Sequence, residues 1–414
     1  MRRSLSDWGL TILEIYRPAA IVLFNVSLLF VVANIAVNWI FGPFSVYENH
    51  LARLDQSRGE YSVEFARKLY PERSDAEIEE LLTYQHYVGV LYQPHIQVVS
   101  ERGIISGWGF HETGFRFIGL DQGPWPPDPS ALTIFVFGGS TTAGSGLEDD
   151  ETIPAHMQAQ LRAALPGAPI NVYNFGQPGF HSPVERVYLE SLVADGFVPD
   201  IAVFIDGYND FHIWHEAPAM TEHFQRWFIE AQTEGAHHAP QWFIMKGIEQ
   251  LPLMRWINSW RPPPTLQHDF GGEIDPRGYD GYGRPHGFYN ERRKLNRVIE
   301  KYFANKKIGD AVGRAAGFET VFTVQPVSTY KFSGPQPNGA MVGKGLRTKW
   351  GYPLLKAYID ENPPGGRFIW CADIQENVNE ILYVDRGIHY NNLGAELTAR
   401  CIVERMMPLA RSKL

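Results

Sequence analysis

The chain has almost no cysteine. Two occur in 414 residues, Cys371 and Cys401, and they lack the spacing of metal ligands, so a zinc site built on cysteine is not expected. Lone cysteines are most often buried small hydrophobes. A single disulfide between these two is the other reading, open only outside the cytosol. Positive charge is also scarce, with 37 Lys and Arg against 46 Asp and Glu, and it gathers in no one stretch. Nucleic acid needs a basic footprint for its phosphates, so no nucleic-acid partner is expected. His212 and His215 stand three apart, but no acid-and-histidine set completes a metal site around them. No metal or other cofactor is called for.

Charge is missing altogether from Pro18 to Tyr47. Within that run Ala19 to Phe41 is 23 residues, and a helix of that length spans roughly 34 Å, enough for the core of a bilayer. A cleaved signal peptide has a shorter apolar region and a small-residue cleavage site. Here Gly42-Pro43 ends the run without one. A buried helix of a soluble protein is the competing reading, and the length and continuity of the run argue against it. Arg2, Arg3 and Arg17 precede the run, and no Lys or Arg follows until Arg53. The positive-inside rule then puts residues 1–18 in the cytoplasm, a transmembrane helix at 19–41 and the rest of the chain outside, in the periplasm if the source is bacterial. Ser27, Asn34 and Asn38 fall on one face of that helix, where polar side chains can join a partner helix in lipid.

Residues 42–130 read as a neck and entry segment, with a short helix at 76–87 and a proline-rich connector at 124–129. From 131 to 414 the pattern alternates. Short apolar strands are expected at 132–137, 170–174, 201–205, 320–324 and 367–370. Helices are expected at 153–165, 183–195, 290–316 (in one piece or broken) and 392–409. This order predicts an α/β fold, a three-layer α/β/α sandwich on a parallel sheet. Active groups in such sheets gather at the carboxyl ends of the strands. Residues 211–289 interrupt the alternation. They hold five of the eleven tryptophans, so 211–260 is read either as an inserted helical cap beside the active site, followed by a glycine-rich loop, or as an excursion that packs on the sheet edge without touching substrate. On the cap reading, Trp214 and His215 are candidates to line the substrate pocket.

Four blocks carry chemistry. Gly138-Gly139-Ser140-Thr141-Thr142 follows the first strand and offers a serine nucleophile on a tight turn. Asn174 to Gly179 and Gly207-Tyr208-Asn209-Asp210 follow the next two strands and offer hydrogen-bond donors. Asp385 and His389 close the chain with an acid and a base. Nucleophilic serine catalysis needs these roles, defined by geometry rather than chain order. Together, in this order, the blocks resemble those of the SGNH, or GDSL-type, hydrolases over roughly residues 131–410. The resemblance implies a flavodoxin-like sheet, Ser140 as nucleophile, His389 as base and Asp385 as the acid that orients it. It implies an oxyanion hole from the Ser140 N–H, the Gly179 N–H and the Asn209 amide.

Two positions depart from the family pattern. Gly139 stands where an Asp is usual. One extra residue separates Asp385 from His389, against the usual Asp-x-x-His. Either the stretch curls so that Gly387 absorbs the extra residue and Arg386 points to solvent, or Asp385 has left its role, with Asp373 as a substitute. The expected activity is a membrane-anchored, extracytoplasmic serine esterase acting on acyl esters of envelope glycans or lipids. An O-acyltransferase on an exported polysaccharide would use the same site, and a catalytically silent subunit of an envelope complex is the third reading.

Overall fold

The computed structural model describes residues 5–41, 67–75, 77–78, 90–93, 96–100, 103–105, 108–213, 251–254, 289–336, 341, 343–365, 367–385 and 388–414. The chain divides into two compact units, one made of Met1–Ser57 and Glu234–Leu266, the other of Arg58–Thr233 and Gln267–Leu414. In the first unit, α1 (Leu5–Phe41) is a 37-residue helix. Its stretch Tyr16–Ile40 is long and apolar enough to cross a membrane. The helix starts well before Ala19 and runs through Pro18.

In the second unit, β1 (Val90–Gln93) and β2 (Gln97–Ser100) form one antiparallel hairpin, and β3 (Gly103–Ile105) and β4 (Trp108–Phe110) form another. The central sheet has five parallel strands: β5 (Leu132–Gly138), β6 (Ile170–Asn174), β7 (Ile201–Asp206), β8 (Glu319–Val324) and β9 (Phe368–Trp370). They lie in the order β6-β5-β7-β8-β9. This is the flavodoxin-like order, and its switch point is between β5 and β7, where the chain turns back across its own first strand.

Every residue of β5, β6 and β7 is buried, which is why these strands read as unbroken apolar runs. Their two faces differ in chemistry. Ile134, Val136, Val172, Val203 and Ile205 point to an aliphatic layer with α3 (Ile153–Ala164) and α8 (Asn392–Lys413). Phe135, Phe137, Tyr173, Phe204 and Phe322 point to an aromatic layer with α4 (Ser182–Ala194). Parallel register sets Phe137 beside Phe204 and Phe204 beside Phe322. Their rings stack at 5.2 and 4.7 Å, within the range where aromatic pairs attract beyond their buried area. On the same side α6 (Arg292–Ala316) and α7 (Arg347–Glu361) cover Val324 through Leu295, Val298, Ile299, Tyr352 and Leu355.

The strands fall where the sequence puts them. Helix α6 is one unbroken helix of 25 residues, and α8 continues to Lys413 through Pro408. Helix α7 is an addition: Pro353 lies inside it, and a proline reads as a helix breaker. Cys371 and Cys401 are joined in a disulfide. They are therefore a covalent tie between the loop after β9 and α8, rather than separate small hydrophobes. The expected helix at 76–87 and the cap at 211–260 lie largely outside the described residues.

Candidate active site

Ser140 is the first residue of α2 (Ser140–Ala143), directly after β5. The turn that carries it is too tight for side chains. A Cβ at Gly138 would lie 2.1 Å from Thr142 Oγ1 and 2.9 Å from the Ile205 carbonyl oxygen. Gly144 ends α2 at φ 84°, in the left-handed region that suits glycine, and its N–H donates to the Ser140 carbonyl. Asn174 braces the turn from the end of β6. Its Nδ2 donates to the Thr142 carbonyl at 2.9 Å, and its Oδ1 accepts from Gly176 N–H at 3.0 Å.

Arg116 braces the same turn and was not singled out in the sequence. It has no exposure at all. Its Nη1 donates to the carbonyls of Ala143 at 2.5 Å and Gly144 at 2.7 Å, and its Nη2 to that of Leu147 at 2.7 Å. Its Nε meets Asp149 at 2.8 Å. One buried cation thus satisfies three main-chain acceptors at the back of the Ser140 turn and is itself neutralised, which is what a buried charge requires. Nothing in the order of residues marks this arginine, because these side-chain partners lie beyond residue 142.

Asp385 and His389 come from a loop between β9 and α8. Tyr383 bridges Tyr390 in antiparallel fashion, and Val384 N–H donates to the His389 carbonyl at 2.9 Å. Between them Asp385 turns inward. Its Oδ1 accepts from the N–H groups of Ile388 at 2.8 Å and His389 at 3.2 Å, so the carboxylate closes its own loop. Its Oδ2 lies 2.6 Å from His389 Nδ1. His389 Nε2 lies 2.8 Å from Ser140 Oγ. The extra residue therefore does not part the acid from the base. Arg386 and Gly387 lie outside the described residues. The loop is pinned by Tyr390 Oη on the Pro326 carbonyl and by Asn391, whose side chain caps α8 through Gly394 N–H.

Three further residues converge beside Ser140. Asn209 lies in α5 (Tyr208–His212), at the end of β7. Its Nδ2 donates to the Phe180 carbonyl at 2.7 Å. Gly179, at φ 79°, precedes that Phe180. A Cβ at Gly139 would sit 2.3 Å from Asn209 Nδ2 and 3.1 Å from the Phe180 oxygen. The Asn209 amide and the Phe180 carbonyl are therefore packed onto Gly139, next to Ser140. This accounts for the glycine where an aspartate is usual, since the space of a side chain is already filled. Thr141 adds a tie to β8's end through Gln325 at 3.1 Å.

Behind Asn209 lies a buried acidic cluster. Glu185, Asp206 and Asp210 are all buried, and Ser182 Oγ donates to Asp210 at 2.6 Å. Burial pushes all three carboxyls up, Asp210 to about 6, and neighbouring carboxylates push Glu185 and Asp206 further. Burial also lowers His181 to about 4, so its ring is neutral at ordinary pH. Among the described residues no group of acids, histidines and cysteines is arranged to hold a metal. Trp214 and His215 lie outside the described residues.

The strand order, Ser140 at the switch point and the linked imidazole and carboxylate reproduce the flavodoxin-like sheet and the Ser-His-Asp arrangement expected from the four sequence blocks. No family model and no curated protein matches the chain. Solved structures do. One is described as a lipolytic protein of the G-D-S-L family from Desulfitobacterium hafniense DCB-2, at 10% identity, 66% of this chain, 99% of that one and a TM-score of 0.34. Another is a catalytic mutant of an acetylxylan esterase from Geobacillus stearothermophilus, at 13% identity, 67% and 94% coverage and a TM-score of 0.35. A third is an alpha/beta hydrolase enzyme from the metagenome of Lake Arreo, Spain, at 14% identity, 68% and 97% coverage and a TM-score of 0.33. Likenesses this distant carry no argument about activity, and the reading of the site rests on its own geometry.

Proposed function

We propose that the chain is a membrane-anchored serine esterase that cleaves small O-acyl esters. The observation that carries this reading is the unbroken chain of contacts from Asp385 through His389 to Ser140, at 2.6 and 2.8 Å. His389 Nε2 takes the Ser140 proton as Oγ attacks the ester carbonyl carbon. Asp385 fixes the imidazole tautomer through Nδ1–H and stabilises the cation that forms. The charge growing on the carbonyl oxygen is met by the N–H groups of Ser140 and Gly179 and by the Asn209 amide. The protonated His389 then gives its proton to the leaving alcohol. Water, activated by the same histidine, releases the acid from Ser140. These steps need neither metal nor other cofactor.

In this reading α1 spans the bilayer with Arg2, Arg3 and Arg17 on the cytoplasmic side, and the hydrolase unit faces outward. The disulfide between Cys371 and Cys401 supports an oxidising compartment. Envelope glycans or lipids are the substrates such a location offers, and acyl transfer to a sugar hydroxyl is the alternative fate of the acyl-enzyme. The test is ester turnover by the full chain in detergent, on acetyl to long-chain nitrophenyl esters, with and without sugar acceptors. Release of free acid from acetyl esters is expected. Acyl transfer without hydrolysis would move the reading to a transferase, and no turnover of any ester would overturn it.

A further inference from the structure

Asn34 stands inside the apolar helix α1, six residues before Ile40, the end of the stretch suited to a membrane. At the helical rise that is roughly 9 Å inside that end. The helix is not equally open around its circumference. Leu29, Val31, Val32, Ile35, Trp39 and Ile40 are exposed, whereas Phe30, Ala33, Asn34 and Val37, with Ala36 beside them, are half-buried or buried. Those four positions follow the i, i+3, i+4, i+7 spacing of one helix face.

The cover over Asn34 comes from the same chain. Its Nδ2 donates to the Phe30 carbonyl at 2.8 Å, and its Oδ1 accepts the main-chain N–H of Leu253 at 2.9 Å. Leu253 belongs to the apolar tetrapeptide Leu251-Pro252-Leu253-Met254, whose four residues are half-buried, with 252–254 helical. A main-chain N–H in hydrocarbon has no water to turn to and must find a partner inside the protein. Pro252 has none to satisfy, and that of Leu253 is taken by Asn34. An asparagine is costly in such a helix unless its carboxamide is used, and here both its donor and its acceptor are used.

We propose that Leu251–Met254 lies in the hydrocarbon layer of the bilayer, against the Asn34 face of the anchor helix, with lipid on its open side. The chain would then meet the hydrocarbon layer a second time, at Leu251–Met254. The proposal rests on the reading of α1 as a transmembrane helix. It also assigns Asn34 to a partner within this chain, in place of the partner helix expected from Ser27, Asn34 and Asn38.

Nitroxide labels in the full chain, reconstituted into phosphatidylcholine vesicles, test this. Leu29→Cys marks the open side of α1, Met254→Cys the proposed dip, and Val198→Cys an exposed site of the hydrolase unit. The native pair is oxidised and takes no label. Labels at 29 and 254 are expected to collide with oxygen and to be shielded from a water-soluble nickel chelate, and the label at 198 the reverse. Leu251→Cys is expected to repeat the result at 254 and guards against a perturbed variant. Nickel access at both 251 and 254, with 29 still shielded, would overturn the dip and leave the anchor standing. Nickel access at 29 would overturn the anchor and the dip together. Adding Asn34→Leu should shift the 254 label towards nickel, and an unmoved label would remove Asn34 from the account.

Discussion

Replacing Gly139 by alanine separates catalysis from folding at this site. The new methyl carbon would lie 2.3 Å from Asn209 Nδ2, 3.4 Å from its Cγ and 3.1 Å from the Phe180 oxygen. The last contact needs only a few tenths of an ångström. The first cannot persist, and the atom in the way is the far end of a side chain. Asn209 therefore swings out, and its 2.7 Å bond to Phe180 goes with it. One neutral hydrogen bond is worth about 0.5–1.5 kcal/mol, so the fold should be little weaker. The same swing removes the proposed oxyanion donor, and loss of such a donor costs about 10²–10³ in kcat. Because that donor works mainly in the transition state, KM should change little. The assay is steady-state hydrolysis of an acetyl ester by the full chain, beside a urea unfolding curve. An unchanged kcat in a variant that folds normally would refute the placing of Asn209 in the oxyanion hole. Heavy destabilisation instead would mean that the backbone of the turn moved and not the side chain.

Other changes should act in distinct ways. Asp385→Asn keeps an oxygen for the N–H groups of Ile388 and His389, so the loop should hold, but it cannot fix the imidazole tautomer; kcat should fall by about 10⁴ with the circular dichroism unchanged. Arg116→Met leaves the buried carbonyls of Ala143, Gly144 and Leu147 and the Asp149 carboxylate without their donor, which should cost about 3–5 kcal/mol in chemical unfolding. Buried carboxyls raised in the folded state hold protons that the unfolded chain has lost. For Asp210, raised to about 6, that stabilisation is complete below about pH 4 and is lost as pH rises to about 6. The urea midpoint should fall over that range, and Asp206→Asn, a neutral isostere in the same cluster, should flatten the fall.

Much of the sheet was legible because Ile134, Val136, Val172, Val203 and Ile205 sit in strands buried on both faces, which forces unbroken apolar runs. Helix α7 was hidden by Pro353, whose lost N–H is outweighed by the packing of Tyr352 and Leu355 on Val324. Two parts of the site could not be read in one dimension. Arg116 acts through partners 27 to 33 positions away, and no local pattern announces such a brace. The Asp385 loop looked one residue too long, since on a straight strand the two Cα atoms would stand roughly 13 Å apart. The carboxylate itself resolves this by accepting two N–H groups of the residues it must approach. The disulfide joins residues 30 apart with no spacing signal.

Ser140 is the nucleophile of the proposed mechanism. Its most direct test is to treat the full chain and its Ser140→Ala variant with a fluorophosphonate and to read intact mass and the modified peptide. A single adduct on Ser140 is expected in the parent protein and none in the variant. An adduct elsewhere in the parent, an adduct that survives in the variant, or no adduct on a folded parent protein would contradict that mechanism.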